Sequence, residues 1–254
     1  MSTRGDGLQR VGVGPHARLE MRISPWLAHL YTATGVVLGF LALLAIIAKN
    51  FQTAFLWLFV AIVVDGTDGW LARRLRVEQR LPTFSGARLD DIVDYVTYVF
   101  VPACLLYQAG SIPPWGALPV TSAMLLSSAY GFASQEAKTP DHFFTGFPSY
   151  WNVVALYVFL ARMPGWVNVV ILLTLCGLVF VRTVYVYPSR MSLWRTATIA
   201  AACVWGAMLL WMIWALPDRS VGMLMVSLLF PLYYAALSMI LTHRRKPRGP
   251  RAKS

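Results

Sequence analysis

The sequence predicts an all-α fold, a polytopic transmembrane helical bundle of about eight spans. Hydrophobic residues make up 57% of the 254 and charged residues only 13%, whereas a soluble domain carries roughly 25% charged residues. Apolar runs of about 20 residues, the length that crosses a bilayer, recur along nearly the whole chain. No segment alternates with the period of two that marks a half-buried strand, and no internal repeat is visible.

Residues 1–24 hold Arg4, Asp6, Arg10, Arg18, Glu20 and Arg22 without the apolar stretch of a secretory signal, and read as a retained cytoplasmic tail. Spans are expected at 26–48, 51–72, 90–109, 114–132, 149–162, 165–187, 194–216 and 221–242. Pro113-Pro114, Pro164-Gly165, Pro188 and Pro217 fall at or near their ends, where helix breakers belong. The fifth span is short, so six or seven full crossings plus a partly inserted helix is the alternative count. Gly35 and Gly39 form a G-x-x-x-G pair in the first span, which reads as a close helix contact. Residues 25–242 thus read as one transmembrane domain, and 243–254 (HRRKPRGPRAKS) as a basic tail near anionic headgroups.

The formal charge of +11 sits in short loops and at the two ends. That distribution is an orientation signal and leaves no folded basic groove for nucleic acid. The linker 73–89 holds Arg73, Arg74, Arg76, Arg80 and Arg88, and the 188–195 loop holds Arg190 and Arg195, which places both on the cytoplasmic side. An even number of spans then puts both termini there. Cys104, Cys176 and Cys203 lie in apolar runs without disulfide or zinc spacing.

Asp65 and Asp68 end the second apolar span, and Asp90 and Asp94 begin the third. Carboxylates at bilayer depth are costly and need compensation. The i, i+3 and i, i+4 spacings put each pair on one helix face, and the two helices are antiparallel neighbours, so all four acids can converge. Oxygen donors without His or thiolate suit a hard divalent cation, Mg²⁺ or Mn²⁺, and a paired site of two ions is the natural inference. The competing reading is a set of salt bridges to Arg73, Arg74 and Arg88. Asp91 lies off the Asp90–Asp94 face and reads as a salt-bridge residue. Gly69, Ala72 and Gly86 accompany the acids and leave space between helices, and Arg73 is a ready phosphate partner.

Asp65, Asp68, Gly69, Ala72, Arg73, Gly86, Asp90 and Asp94, in this order and spacing, resemble the signature of the CDP-alcohol phosphatidyltransferases. The twelve residues between Arg73 and Gly86 exceed the family's usual spacer and resemble bacterial phosphatidylcholine synthases, as do AHLYTATG from Ala28 and KTPDHFFTGFPSYWN from Lys138 to Asn152. The resemblance implies transfer of a phosphatidyl group from CDP-diacylglycerol to choline with release of CMP, by a metal-dependent homodimer in a bacterial inner membrane. It implies Asp65, Asp68 and Asp90 as metal ligands, and Asp94 as a ligand or as the base that takes the choline proton. Gly69, Ala72 and Gly86 would line the cytidine site and Arg73 would hold the donor.

Choline's quaternary ammonium calls for aromatic faces and a carboxylate. Tyr150, Trp151, Tyr187 and Glu136 are the candidates, with Tyr130 and Tyr185 in the same zone, although Tyr and Trp also gather at membrane interfaces generally. Lys138 and Arg190 are candidates for a phosphate or lipid headgroup, ahead of Arg182 and Arg195, against solvated positive-inside charge. His142 has no partner at ligand spacing and reads as a loop residue. Serine or a polyol phosphate as acceptor is the nearest alternative. A cation transporter is the alternative of another class, because intramembrane acids also mark ion pathways; the Gly, Ala and Arg interleaved with the acids at the membrane surface favour the enzyme.

Overall fold

The computed structural model describes residues 15–134, 143–181, 184–186, 195–218 and 220–244. The expected spans correspond to eight helical stretches. Helix α1 (Pro15–Ile47) and α2 (Phe51–Arg74) form an antiparallel hairpin around a tight turn. Lys49 takes the left-handed conformation there, at φ 56°, and the Asn50 side chain accepts the Thr53 amide at 3.1 Å, satisfying one of the amides that a helix start leaves open. A short helix α3 (Val77–Arg80) lies on the linker, followed by α4 (Gly86–Asp94), a π-helical turn at Tyr95–Phe100 and α5 (Val101–Gln108). Ser85 caps α4 by accepting the Arg88 amide at 3.3 Å. Then come α6 (Pro114–Ala133), α7 (Trp151–Ala161), α8 (Gly165–Leu178), α9 (Arg195–Trp214), and α10 (Val221–Ser227) running into α11 (Leu229–Arg244).

Four stretches are long and apolar enough to cross a membrane: Pro25–Ile47, Phe51–Arg74, Thr196–Trp214 and Val221–Ser238. Helix α1 begins at Pro15, well before the expected start, so part of the expected tail is helical. Helix α7 has 11 residues and α8 has 14. At 1.5 Å per residue these are about 16 and 21 Å long, short of a hydrocarbon core of about 30 Å. The expected span 165–187 therefore ends early. The chain beyond it contains a strand, β2 (Val184–Val186), that pairs antiparallel with β1 (Phe143–Thr145). This two-stranded ribbon corrects the expectation of no strand; Val-Tyr-Val and Phe-Phe-Thr are β-branched and aromatic, which suits a pleated surface. Gly146, at φ 86°, leads out of β1, and a Cβ there would overlap the Val179 carbonyl. Only glycine fits that approach.

The core is formed by Phe55, Leu58, Leu105, Leu106, Met124, Leu172 and Ile213. Large apolar side chains also face outward, among them Phe40, Val63, Leu126 and Trp211, as expected where lipid is the solvent. Exposed Trp115, Trp166 and Trp214 mark the bundle end opposite the aspartates, and Trp26 and Trp70 the end that bears them. These are the positions of two interfacial aromatic belts. Polar ties join the helices. Gln52 Nε2 donates to the Trp214 carbonyl at 2.8 Å, closing the end of α9. The Tyr157 hydroxyl donates to Ser227 Oγ and accepts from Trp205 Nε1, each at 3.0 Å.

The glycine pair of α1 faces the third helical stretch. A Cβ at Gly35 would stand 2.5 Å from Val93 Cγ1, and one at Gly39 would stand 3.0 Å from Val96 Cγ1. Gly35→Ala is expected to destabilise the fold by about 1–3 kcal/mol, because α4 must shift to admit the methyl. A lowered thermal midpoint in detergent with reduced activity checks this; an unchanged midpoint contradicts the contact.

Candidate active site

Helix α2 delivers Asp65 and Asp68 from its last three turns, and α4 delivers Asp90 one turn from its start. One oxygen from each of these carboxylates lies within 4.8 Å of the others. Asp68 is buried at 7% exposure, while Asp65 and Asp90 are half-buried. At an effective dielectric of about 20, each such pair of charges repels by about 3 kcal/mol. A set of hard oxygen donors converging at this cost fits a divalent cation, and the cluster can bind one.

Two neighbours orient the carboxylates. Thr32 Oγ1 on α1 donates to Asp68 Oδ2 at 2.7 Å. The Tyr98 hydroxyl donates to Asp65 Oδ2, also at 2.7 Å. Tyr98 belongs to the π-helical turn that follows Asp94, is 8% exposed, and lies within electrostatic reach of both Asp65 and Asp94. Such turns often occur at functional sites, because the extra residue re-aims the side chains around it. Each hydroxyl fixes one oxygen of its carboxylate, as groups that orient metal ligands do. Tyr31 and Thr67 join their hydroxyls at 2.7 Å beside this layer.

The remaining expected residues separate by position. Asp94 is half-buried one turn deeper than Asp90 and stands outside the close set of three, as does Asp91. Arg73 folds back so that a Cβ on Gly69 would stand 3.3 Å from its Nη1, which brings its charge near Asp68. Gly86 faces His29: a Cβ there would stand 3.0 Å from His29 Cε1. Ala72 is half-buried, one turn along α2 from Asp68.

Tyr150 caps α7 and sets its ring 5.8 Å from that of Tyr98, which places it beside the acids. Trp151 is fully buried, donates from Nε1 to Ser128 Oγ at 2.7 Å and packs on Phe147. Its ring belongs to the core. Tyr130 is exposed and sits 5.0 Å from Phe180 between ring centres. Glu136, Lys138, His142, Arg182, Tyr187 and Arg190 lie outside the described residues, as do the side chains of Tyr185 and Arg195.

Tyr98 and Thr32 were missing from the sequence reading. Tyr98 follows Asp94 at i, i+4, the same offset that paired Asp90 with Asp94, so that rule could have found it. Tyr98→Phe is expected to raise the Mn²⁺ concentration for half-maximal activity by about 10- to 100-fold, the usual cost of losing a group that orients a ligand. A metal requirement equal to that of the unsubstituted chain would contradict the role.

A family model described as CDP-alcohol phosphatidyltransferase matches residues 25–181. The chain is 40% identical over 180 residues to the phosphatidylcholine synthase of Pseudomonas aeruginosa, covering 71% of this chain and 76% of that protein. It is 40% identical over 181 residues to the phosphatidylcholine synthase of Legionella pneumophila, covering 70% and 71%. The phosphatidylcholine synthase of Borreliella burgdorferi is 31% identical over 231 residues, covering 89% of this chain and 97% of that protein. The apolar helices and the acid cluster at their ends therefore belong to a multi-pass membrane enzyme that transfers phosphatidyl groups, and the chain is a member of the CDP-alcohol phosphatidyltransferase family.

Proposed function

We propose that this chain transfers the phosphatidyl group of CDP-diacylglycerol to choline and releases CMP. The observation that carries the donor side is the close set of Asp65, Asp68 and Asp90 at the mouth of two membrane helices. The relatives named above support choline as the acceptor, together with the Tyr98–Tyr150 pair beside the acids. The aromatic faces suit a trimethylammonium group, which cannot donate an N–H bond.

Two ions of Mn²⁺ or Mg²⁺ held by Asp65, Asp68 and Asp90, with Asp94 within reach, would supply electrostatic stabilisation of the diphosphate. Arg73 binds a donor phosphate oxygen, and its Nη1 lies beside Gly69, one residue from Asp68. Asp94 takes the hydroxyl proton of choline. The choline oxygen forms a bond to the lipid-side phosphorus, the bond from that phosphorus to the bridging oxygen breaks, and CMP leaves with the electron pair. Gly69, Ala72 and Gly86 leave room for the nucleoside; Glu136 and Tyr187 are assigned to choline, and Lys138 and Arg190 to a phosphate or lipid headgroup, on their sequence positions alone.

The catalytic core spans 25–242, sits in the bacterial inner membrane as a homodimer, and carries its site and both termini on the cytoplasmic side. Purified protein given CDP-diacylglycerol, Mn²⁺ and labelled choline is expected to release CMP and form labelled lipid in equal amounts. Labelled lipid from serine or a polyol phosphate, with none from choline, would sink the acceptor assignment.

A further inference from the structure

At the bundle end opposite the aspartates, the turn after α5, the end of α7 and the start of α8 surround a cavity of about 290 Å³. Pockets for small ligands begin at about this size. Gly110, Ser111, Phe159, Arg162, Gly165 and Asn168 are among the residues that line it. Its walls are tied together. Asn168 is 1% exposed, and its Nδ2 donates to the Ser111 carbonyl at 2.7 Å and to the Met163 carbonyl at 3.5 Å, joining α8 to the turns on either side. A Cβ on Gly165 would stand 2.9 Å from Pro113 Cδ, so the turn before α6 and the start of α8 are in direct contact.

The polar groups of this cavity are suited to an anion with a donor attached. Arg162 is the one charged side chain among the described residues that line it, and it is exposed at the end of α7. Helix α8 begins at Gly165 without a side-chain cap, which leaves its first amides open to a negative group. Arginine and open amides together match a phosphate. Asn168 adds an unmet need of the opposite kind. Its Nδ2 is committed to two carbonyls, and its Oδ1 is buried with no hydrogen-bond partner among the described residues. A buried acceptor of this kind calls for a donor.

The depth of the cavity names the source of the phosphate. Trp166 follows Gly165, Trp115 lies two residues beyond Pro113, and both rings are exposed in the aromatic belt at this end of the bundle. Such belts sit at the level of the lipid headgroups, and basic pockets between membrane helices bind headgroups.

We propose that this cavity binds a phospholipid headgroup that carries a hydrogen-bond donor beyond its phosphate, as ethanolamine and glycerol headgroups do. Arg162 and the first amides of α8 take the phosphate, and the terminal ammonium or hydroxyl donates to Asn168 Oδ1. Phosphatidylcholine, the product under the proposed function, ends in a trimethylammonium without a donor, so the site holds it less tightly. Only that contrast with the product rests on the proposed function; the site itself does not.

The test uses the full chain in detergent, supplies one lipid at a time and reads bound lipid by native mass spectrometry. Phosphatidylethanolamine and phosphatidylglycerol should each be retained at concentrations about tenfold lower than phosphatidylcholine, the difference of one buried hydrogen bond. Arg162→Gln should weaken both by about 10- to 100-fold, the loss of a bond to a charged group, and Arg162→Lys should keep part of the binding. Asp90→Asn, at the other end of the bundle, should leave retention of both lipids unchanged. Equal retention of the three lipids, or unchanged retention in Arg162→Gln, would overturn the assignment. Inorganic phosphate that displaces the lipids at matching concentrations would overturn the lipid source and make this a site for a free anion. CMP release from CDP-diacylglycerol and choline, assayed in parallel, tells the two readings apart: its absence would sink the proposed function while an Arg162-dependent preference for donor-bearing headgroups would still support the site.

Discussion

Asp90→Asn is expected to lower metal-dependent CMP release by about 10³-fold, because a bound cation contributes several kcal/mol of charge stabilisation and each 1.36 kcal/mol is a factor of ten. Asp90 is the acid that α4 contributes to the close set, facing Asp65 and Asp68 of α2. Its removal leaves two carboxylates on one helix, a chelate with no second wall. The same substitution relieves the repulsion between the three acids, so the protein should become more stable in EDTA while losing activity. A purely structural salt-bridge network would behave in the opposite way, losing stability on substitution. Thermal melting with and without Mn²⁺ distinguishes them: the unsubstituted chain should gain stability from Mn²⁺, and Asp90→Asn should gain far less.

Asp94→Asn is expected to cut the turnover of choline by about 10²- to 10⁴-fold, the range that a positioned general base contributes. It should leave Mn²⁺ binding and CMP binding within a few-fold of the unsubstituted chain. The expectation follows from its position one turn deeper than Asp90 and outside the close set. Loss of Mn²⁺ binding along with activity would make Asp94 a ligand instead of the base. Retained turnover would remove it from the chemistry.

Much of this architecture is legible in the sequence because a membrane imposes simple rules. Eight apolar runs separated by Pro, Gly and charge became eight helical stretches among the described residues, since lipid leaves the backbone few other ways to satisfy its hydrogen bonds. The approach of three carboxylates was legible from the i, i+3 spacing of Asp65 and Asp68 and the position of Asp90 at the start of the next span. Helix lengths were harder to read. The apolar content of 165–187 matches a span, yet the helix ends at Leu178 because the β-branched and aromatic residues beyond it pair with Phe143–Thr145. Periodicity cannot tell a buried strand from a buried helix over so few residues.

The residues around the acids were harder still. Thr32 and Asp68 are 36 positions apart, as are Tyr31 and Thr67, and Tyr98 and Asp65 are 33 apart. Their pairing depends on how α1 crosses α2 and on the π turn after Asp94, neither of which a one-dimensional pattern encodes. Gly86 illustrates the same point: its small size was legible as free space, but the imidazole of His29 beside it was not.

The most direct test of the central claim is the electron paramagnetic resonance of Mn²⁺ bound to purified protein, recorded with a parallel assay of CMP release from CDP-diacylglycerol and choline. The unsubstituted chain is expected to show a bound-Mn²⁺ signal that is lost, together with CMP release, in Asp65→Asn, Asp68→Asn and Asp90→Asn. Full CMP release by these variants, or release by the unsubstituted chain in excess EDTA, would contradict it.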